Sequence, residues 1–126
     1  MSVTVGHVQL RILRVLWDEG EVTARRITEV LSSKSPIAHS TVQTLLRQLE
    51  SKGAVGHEQN DRTFLFKALV NESEVTGSAA QDLLSRVFQG SLSGLVAHLL
   101  DQEDISVEEI ARLRKLINER SSEAQS

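Results

Sequence analysis

The stretch HSTVQTLLRQLESKGAV, residues 39–55, decides the fold. Val42, Leu45, Leu46 and Leu49 fall on one side of a 3.6-residue period, which predicts a helix from about His39 to Lys52. Gly53 stands where a helix C-terminus favours a residue without a Cβ. Beyond it the period changes. Val55, Phe64 and Phe66 alternate with polar neighbours on either side of Gln59, Asn60, Asp61 and Arg62, the pattern of a β-hairpin.

Two further helices precede this stretch. Val5, Val8, Ile12, Val15 and Leu16 share one helical face that ends at Gly20. Thr23 is a suitable N-cap for a short helix with Ile27, Val30 and Leu31 inward, broken by Ser32, Ser33 and Pro36. Three helices followed by a hairpin predict a winged helix-turn-helix domain over residues 1–70, in which the third helix enters a DNA major groove and the hairpin lies along the backbone.

Downstream the reading is helical again, so the expected fold class is mainly α. Val75, Ala79, Leu83, Leu84, Val87 and Phe88 form one apolar stripe ending at Gly90, and Leu92, Leu95, Val96, Leu99 and Leu100 form a second. Ser106 and Glu109 have capping-box spacing before Val107, Ile110, Leu113 and Ile117, and residues 121–126 read as a disordered polar tail. Some fifty residues of helix, roughly, lie below the size at which a lone bundle builds an adequate core. Residues 71–120 are therefore expected to form a helical dimerisation region in which Leu83, Val87, Leu92, Leu95, Val96, Leu99, Leu100, Leu113 and Ile117 pack against a second copy.

Composition narrows the function classes. Of the 126 residues 40% are hydrophobic, yet no apolar run reaches membrane-spanning length, and a cytoplasmic protein without membrane insertion is expected. With no cysteine there is no disulfide, thiol catalysis or thiolate metal site. The net charge of -3 is unevenly spread: residues 1–70 hold nine Lys or Arg against seven Asp or Glu, and residues 71–126 hold five against ten. The slightly basic half is the candidate nucleic-acid face, although so small an excess also describes an ordinary solvated surface.

Within that half, Ser40, Thr41, Gln43 and Thr44 occupy the first turns of the third helix on the side opposite its apolar residues. Gln bonds bidentately to adenine and a Thr methyl meets a thymine methyl, so the set suits A·T-containing half-sites. Arg47, Lys52, Arg62 and Lys67 are the expected phosphate contacts, with His39 a further candidate. Lys52 also has a simpler explanation in the helix dipole. His7, His39, His57 and His98 lack the paired spacing of a zinc site, so neither metal nor cofactor is expected. Trp17 reads as a packing anchor. The acidic pairs Glu103-Asp104 and Glu108-Glu109 suit the start of a helix, and no motif gathers a nucleophile, a base and an oxyanion donor, which predicts a non-enzyme.

The run Ile37–Leu49 with Lys52-Gly53 resembles the recognition helix of the BlaI/MecI penicillinase-repressor family. Leu13–Asp18 is similar to that family's first helix, Arg62–Phe66 to its wing, Val87–Ser91 and Leu95–Leu100 to its dimerisation region, and Glu109–Leu113 to its last helix. The resemblance, spanning about Val8 to Arg120, implies a homodimeric repressor of double-stranded operator DNA with short inverted repeats, often beside genes for antibiotic resistance or envelope stress. It also implies a membrane metalloprotease sensor whose signal leads to cleavage in the region of Leu95 to Leu100. The family's cut falls at an Asn-Phe step, and the aligned pair here is His98-Leu99. A copper-responsive branch senses Cu(I) through cysteines, which this chain lacks. The residues leave open a winged helix that binds protein, or a regulator released by an effector without proteolysis.

Overall fold

A computed structural model describes residues 5–102 and 104–125, the side chain of Gln125 excepted. The element order is α1 (His7–Glu19), α2 (Ala24–Ser32), α3 (His39–Ser51), β1 (Val55–Asn60), β2 (Thr63–Ala68), α4 (Glu72–Phe88), α5 (Leu92–Gln102) and α6 (Val107–Gln125). The chain forms two compact units, Met1–Leu83 and Leu84–Ser126.

The first unit is built around one apolar core. Ile12, Leu13, Val15 and Leu16 of α1, Ile27 and Leu31 of α2, and Val42, Leu46 and Leu49 of α3 are all buried, with Ala54 and Val55 closing the hairpin end. Leu13 lies outside the five residues that the periodicity of α1 singled out, yet it is fully enclosed. The helix is covered on two sides, and so wide a buried face exceeds one narrow stripe. The unit also extends past the boundary expected at residue 70, because Val75 in the first turns of α4 is only 2% exposed and joins this core.

Local signals fix the helix ends. Gly20 and Gly53 both take positive φ, 81° and 80°, which costs a glycine little and any other residue more. The Thr23 hydroxyl accepts a hydrogen bond from the Arg26 backbone N–H at 3.1 Å and so caps α2. Strands β1 and β2 pair antiparallel from Val55 opposite Ala68 to Asn60 opposite Thr63, so the loop is only Asp61-Arg62, and Gln59 and Asn60 belong to the strand. Val22 and Phe66 exchange two backbone hydrogen bonds, 3.1 and 2.8 Å, which fasten the hairpin base to the segment before α2. The Trp17 indole N–H donates to the Val70 carbonyl at 2.9 Å while its ring packs on the core.

The second unit contains the end of α4, then α5 and α6. The Ser91 hydroxyl accepts from Gly94 N–H and the Ser106 hydroxyl from Glu109 N–H, each at 3.0 Å, at the starts of α5 and α6. Glu109 itself is engaged by Arg112. Helix α6 continues to Gln125, so residues 121–125 are helical where a disordered tail was expected. That segment holds neither Gly nor Pro, and Arg120 and Glu123 pair at 3.6 Å one turn apart. Ser126 and Glu103 lie outside the described residues, so the tail's last residue and one member of an acidic pair have no structural counterpart here.

Among the described residues, the second unit exposes much apolar surface. Leu92 is 63% exposed and Ile117 55%, and Val87, Leu99, Leu100, Val107, Ile110 and Leu116 are exposed as well. Among the described residues no helix is long and apolar enough to cross a membrane.

Replacing Leu13 with Ala should lower the unfolding free energy by about 2–5 kcal/mol, since a fully enclosed side chain leaves a cavity. Urea unfolding followed by circular dichroism measures this. A loss below about 1 kcal/mol would contradict the central place given to Leu13.

Candidate nucleic-acid interface

Helix α3 divides cleanly by burial. Val42, Leu46 and Leu49 face the core, whereas Ser40, Thr41, Gln43, Thr44 and Arg47 are exposed. The Thr44 hydroxyl donates to the Ser40 carbonyl at 3.0 Å and accepts from Arg47 at 3.2 Å. Its hydroxyl proton is used within the helix, which leaves the methyl group and one acceptor lone pair for an outside partner.

Beside this exposed side runs a cleft of about 520 Å³ between α3, the start of α2 and the hairpin. Leu46, Phe64 and Phe66 form its apolar wall, and Arg25, Arg47, Arg62 and Gln43 also line it. Three sequence candidates, Gln43, Arg47 and Arg62, thus share one concave surface.

The others lie elsewhere. His39 is half-buried at the start of α3, its Nδ1 2.8 Å from the Thr28 hydroxyl on α2. Lys52 caps the far end of α3, and its Nζ donates to Gln9 Oε1 at 3.2 Å. Gln9 is a buried polar side chain. Its amide also donates to Gln48 at 2.9 Å and accepts from Gly6 N–H at 2.9 Å, so it ties α1 to α3. Lys67 alternates with Phe64 and Phe66 to the opposite face of β2, 3.5 Å from Glu58.

Arg25, Glu50 and His57 belong to this surface and were not singled out from sequence. Arg25 and Arg26 are adjacent, and sequence alone cannot say which is free to point outward. In the fold Arg26 pairs with Glu19 at 2.9 Å, and that hydrogen bond and charge raise its guanidinium pKa above the ordinary value. Arg25 is the one that lines the cleft. His57 stands opposite Phe66 across the hairpin and meets Glu50 of α3, a meeting of separate elements that no local pattern shows.

The possible cleavage pair His98-Leu99 lies inside α5, with helical backbone and exposed side chains. The His98 ring meets Phe88 edge-on at 5.9 Å. Of the residues expected at a dimer interface, Leu83, Val87, Leu92, Leu99, Leu100 and Ile117 are exposed, and Leu95, Val96 and Leu113 are half-buried. Among the described residues no group of three or more His, Asp or Glu side chains gathers as a metal site would require.

Three helices, a hairpin laid beside the third, and a polar outer face on that helix define a winged-helix protein. The family model described as penicillinase repressor matches residues 5–119, and this chain belongs to that family. The penicillinase repressor of Bacillus licheniformis is 27% identical over 115 residues, 91% of this chain and 90% of the relative. The methicillin resistance regulatory protein MecI of Staphylococcus aureus (strain N315) is 23% identical over 116 residues, 92% of this chain and 94% of the relative. The solution structure of the Bacillus licheniformis BlaI monomer in complex with the blaP half-operator aligns with a TM-score of 0.51 and 26% identity, covering 59% of this chain and 90% of that one.

Replacing Gln9 with Ala should cost about 1–3 kcal/mol of stability, because it strips partners from Gln48 and Lys52 at a buried joint. A thermal melt reads the loss. An unchanged melting temperature would show that this joint does not hold α1 to α3.

Proposed function

We propose that the chain is a cytoplasmic transcriptional repressor that binds inverted-repeat operator DNA as a homodimer and catalyses no reaction. The single observation that carries this reading is the exposed, polar outer side of α3 next to a cleft bearing Arg25, Arg47 and Arg62. A helix of this form fits a major groove, and guanidinium groups beside it neutralise flanking phosphates and release counterions. Membership of a repressor family and the half-operator bound to its BlaI relative support the same assignment.

Within this reading Gln43 contacts a base edge, and Ser40, Thr41 and the Thr44 methyl contribute beside it. Arg47, Arg62 and Arg25 hold phosphates. His39 adds a phosphate contact only through Nε2, since Nδ1 is engaged with Thr28. Lys52 and Lys67 sit away from the cleft and serve as outlying phosphate contacts, where charge acts over a distance screened by salt.

Dimerisation rests on the uncovered apolar residues of α4–α6, which a monomer would leave in water at about 25 cal/mol per Å². Two-fold symmetry then matches two half-sites. Release by a metalloprotease-linked cut at His98-Leu99 requires α5 to open first, because a protease needs extended chain and this step is helical. Gly94 weakens that helix by about 1 kcal/mol relative to Ala and lowers the cost of opening. A cut there would separate α6 from the DNA-binding half and leave monomers that grip a single half-site.

Three measurements test this reading. On an operator selected from a random library, Gln43→Ala should lose about 1–3 kcal/mol and relax preference at one base position. Arg25→Ala and Arg62→Ala should each weaken all duplexes alike and reduce the salt slope by about one unit, whereas Arg26→Ala, whose partner is Glu19, should leave the slope unchanged. Sedimentation should find dimers that the double change Leu95→Asp with Leu99→Asp converts to monomers, and a monomeric parent at micromolar concentration would contradict the proposed assembly.

A further inference from the structure

A side-chain hydrogen bond joins α3 to the hairpin. The Nδ1 of His57 on β1 lies 2.8 Å from Oε2 and 2.9 Å from Oε1 of Glu50, in the last turn of α3. The imidazole is also held between Phe64 and Phe66 of β2, with ring centroids at 4.6 and 5.4 Å. Both partners are about one-third exposed, 32% and 37%, and both border the cleft that holds Arg25, Arg47 and Arg62.

This carboxylate stands on a surface otherwise arranged for phosphates. When His57 is neutral, Glu50 keeps a full negative charge that faces an incoming duplex. When His57 is protonated, Nδ1–H still donates to Glu50, the pair is neutral overall, and Nε2–H becomes one more donor on the cleft. Arg47 and Glu50 from α3, Arg25 from α2 and Arg62 from the hairpin loop line the same cleft as the imidazole, and β2 sets two phenyl rings against it. Phosphates seated in this cleft add negative potential beside the imidazole and favour its protonated form in the complex.

We propose that Glu50 and His57 form a positioning pair that sets the hairpin against the recognition helix, and that duplex binding takes up a proton at His57, so the grip on DNA tightens as pH falls. The inference rests on the duplex-binding reading of this face. By linkage, a proton bound more firmly in the complex than in the free protein makes affinity fall as pH rises, by at most about tenfold per pH unit for one proton.

The test measures affinity of the full-length chain for a mixed-sequence duplex of about three helical turns, at fixed ionic strength, between about pH 5.5 and 8. The parent should lose about five- to tenfold in affinity over that range. His57→Phe, which retains the ring stack, should bind weakly with a nearly flat profile. Glu50→Gln should bind more tightly than the parent at the alkaline end and gain little on acidification, and His7→Gln, an exposed residue outside the cleft, should keep the parent's slope. Circular dichroism establishes that each variant is folded, and Glu50→Gln, a near-isosteric change, carries the test alone if His57→Phe is not. A parent-like pH profile in His57→Phe, or no tightening in alkaline Glu50→Gln, overturns the pair's role while leaving duplex binding intact. Absence of duplex binding at every pH overturns the function reading and this inference together.

Discussion

Burial of Val42, Leu46 and Leu49 against α1 and α2 is the constraint on which the rest of the first unit depends. Once those side chains are enclosed, the helical period leaves Ser40, Thr41, Gln43, Thr44 and Arg47 outside, without any further instruction. Each buried side chain of this size contributes about 1.5–3 kcal/mol. Rotating α3 to hide its polar side would surrender that contribution and strand hydrogen-bonding groups in the core. Stability and function therefore share one helix and divide its two sides.

The hairpin extends the same economy. Backbone hydrogen bonds between Val22 and Phe66 hold its base, Gly53 turns the chain into it, and Phe66 packs on the core. Its two-residue loop then carries Arg62 outward, and its inner face completes a cleft beside α3. The backbone pairing of Val22 with Phe66 thus helps to set the cleft that the arginines line.

The helices, the hairpin and the division of α3 into two faces were legible from residue spacing, because periodicity reports which side of an element is buried. What spacing cannot report is which separate elements meet. Leu13 looked peripheral to a narrow stripe and proved central, since two neighbours cover α1. Arg26 has Glu19 and Glu29 within reach, whereas Arg25 lines the cleft. Lys52 has the right charge and place along the helix, yet Gln9, on an element 43 positions earlier, engages it. The meeting of Glu50 with His57 depends on how β1 packs beside α3. The polar end of α6 was read as disorder because it lacks apolar residues, although nothing in it breaks a helix.

The second unit poses the complementary problem. Its apolar residues on α5 and α6 also recur along helices, but several of them, Leu92, Leu99, Leu100 and Ile117 among them, stay exposed. We propose that the outer side of α3 and the adjoining cleft are the surface that meets DNA. Amide chemical-shift mapping of the full-length protein with a duplex bearing its selected operator tests it directly. We expect the perturbations to concentrate on residues 39–47, on Arg25 and on the loop from Asp61 to Thr63, while α6 is unaffected. Perturbations confined to α5 and α6, with the α3 amides unmoved, would contradict it.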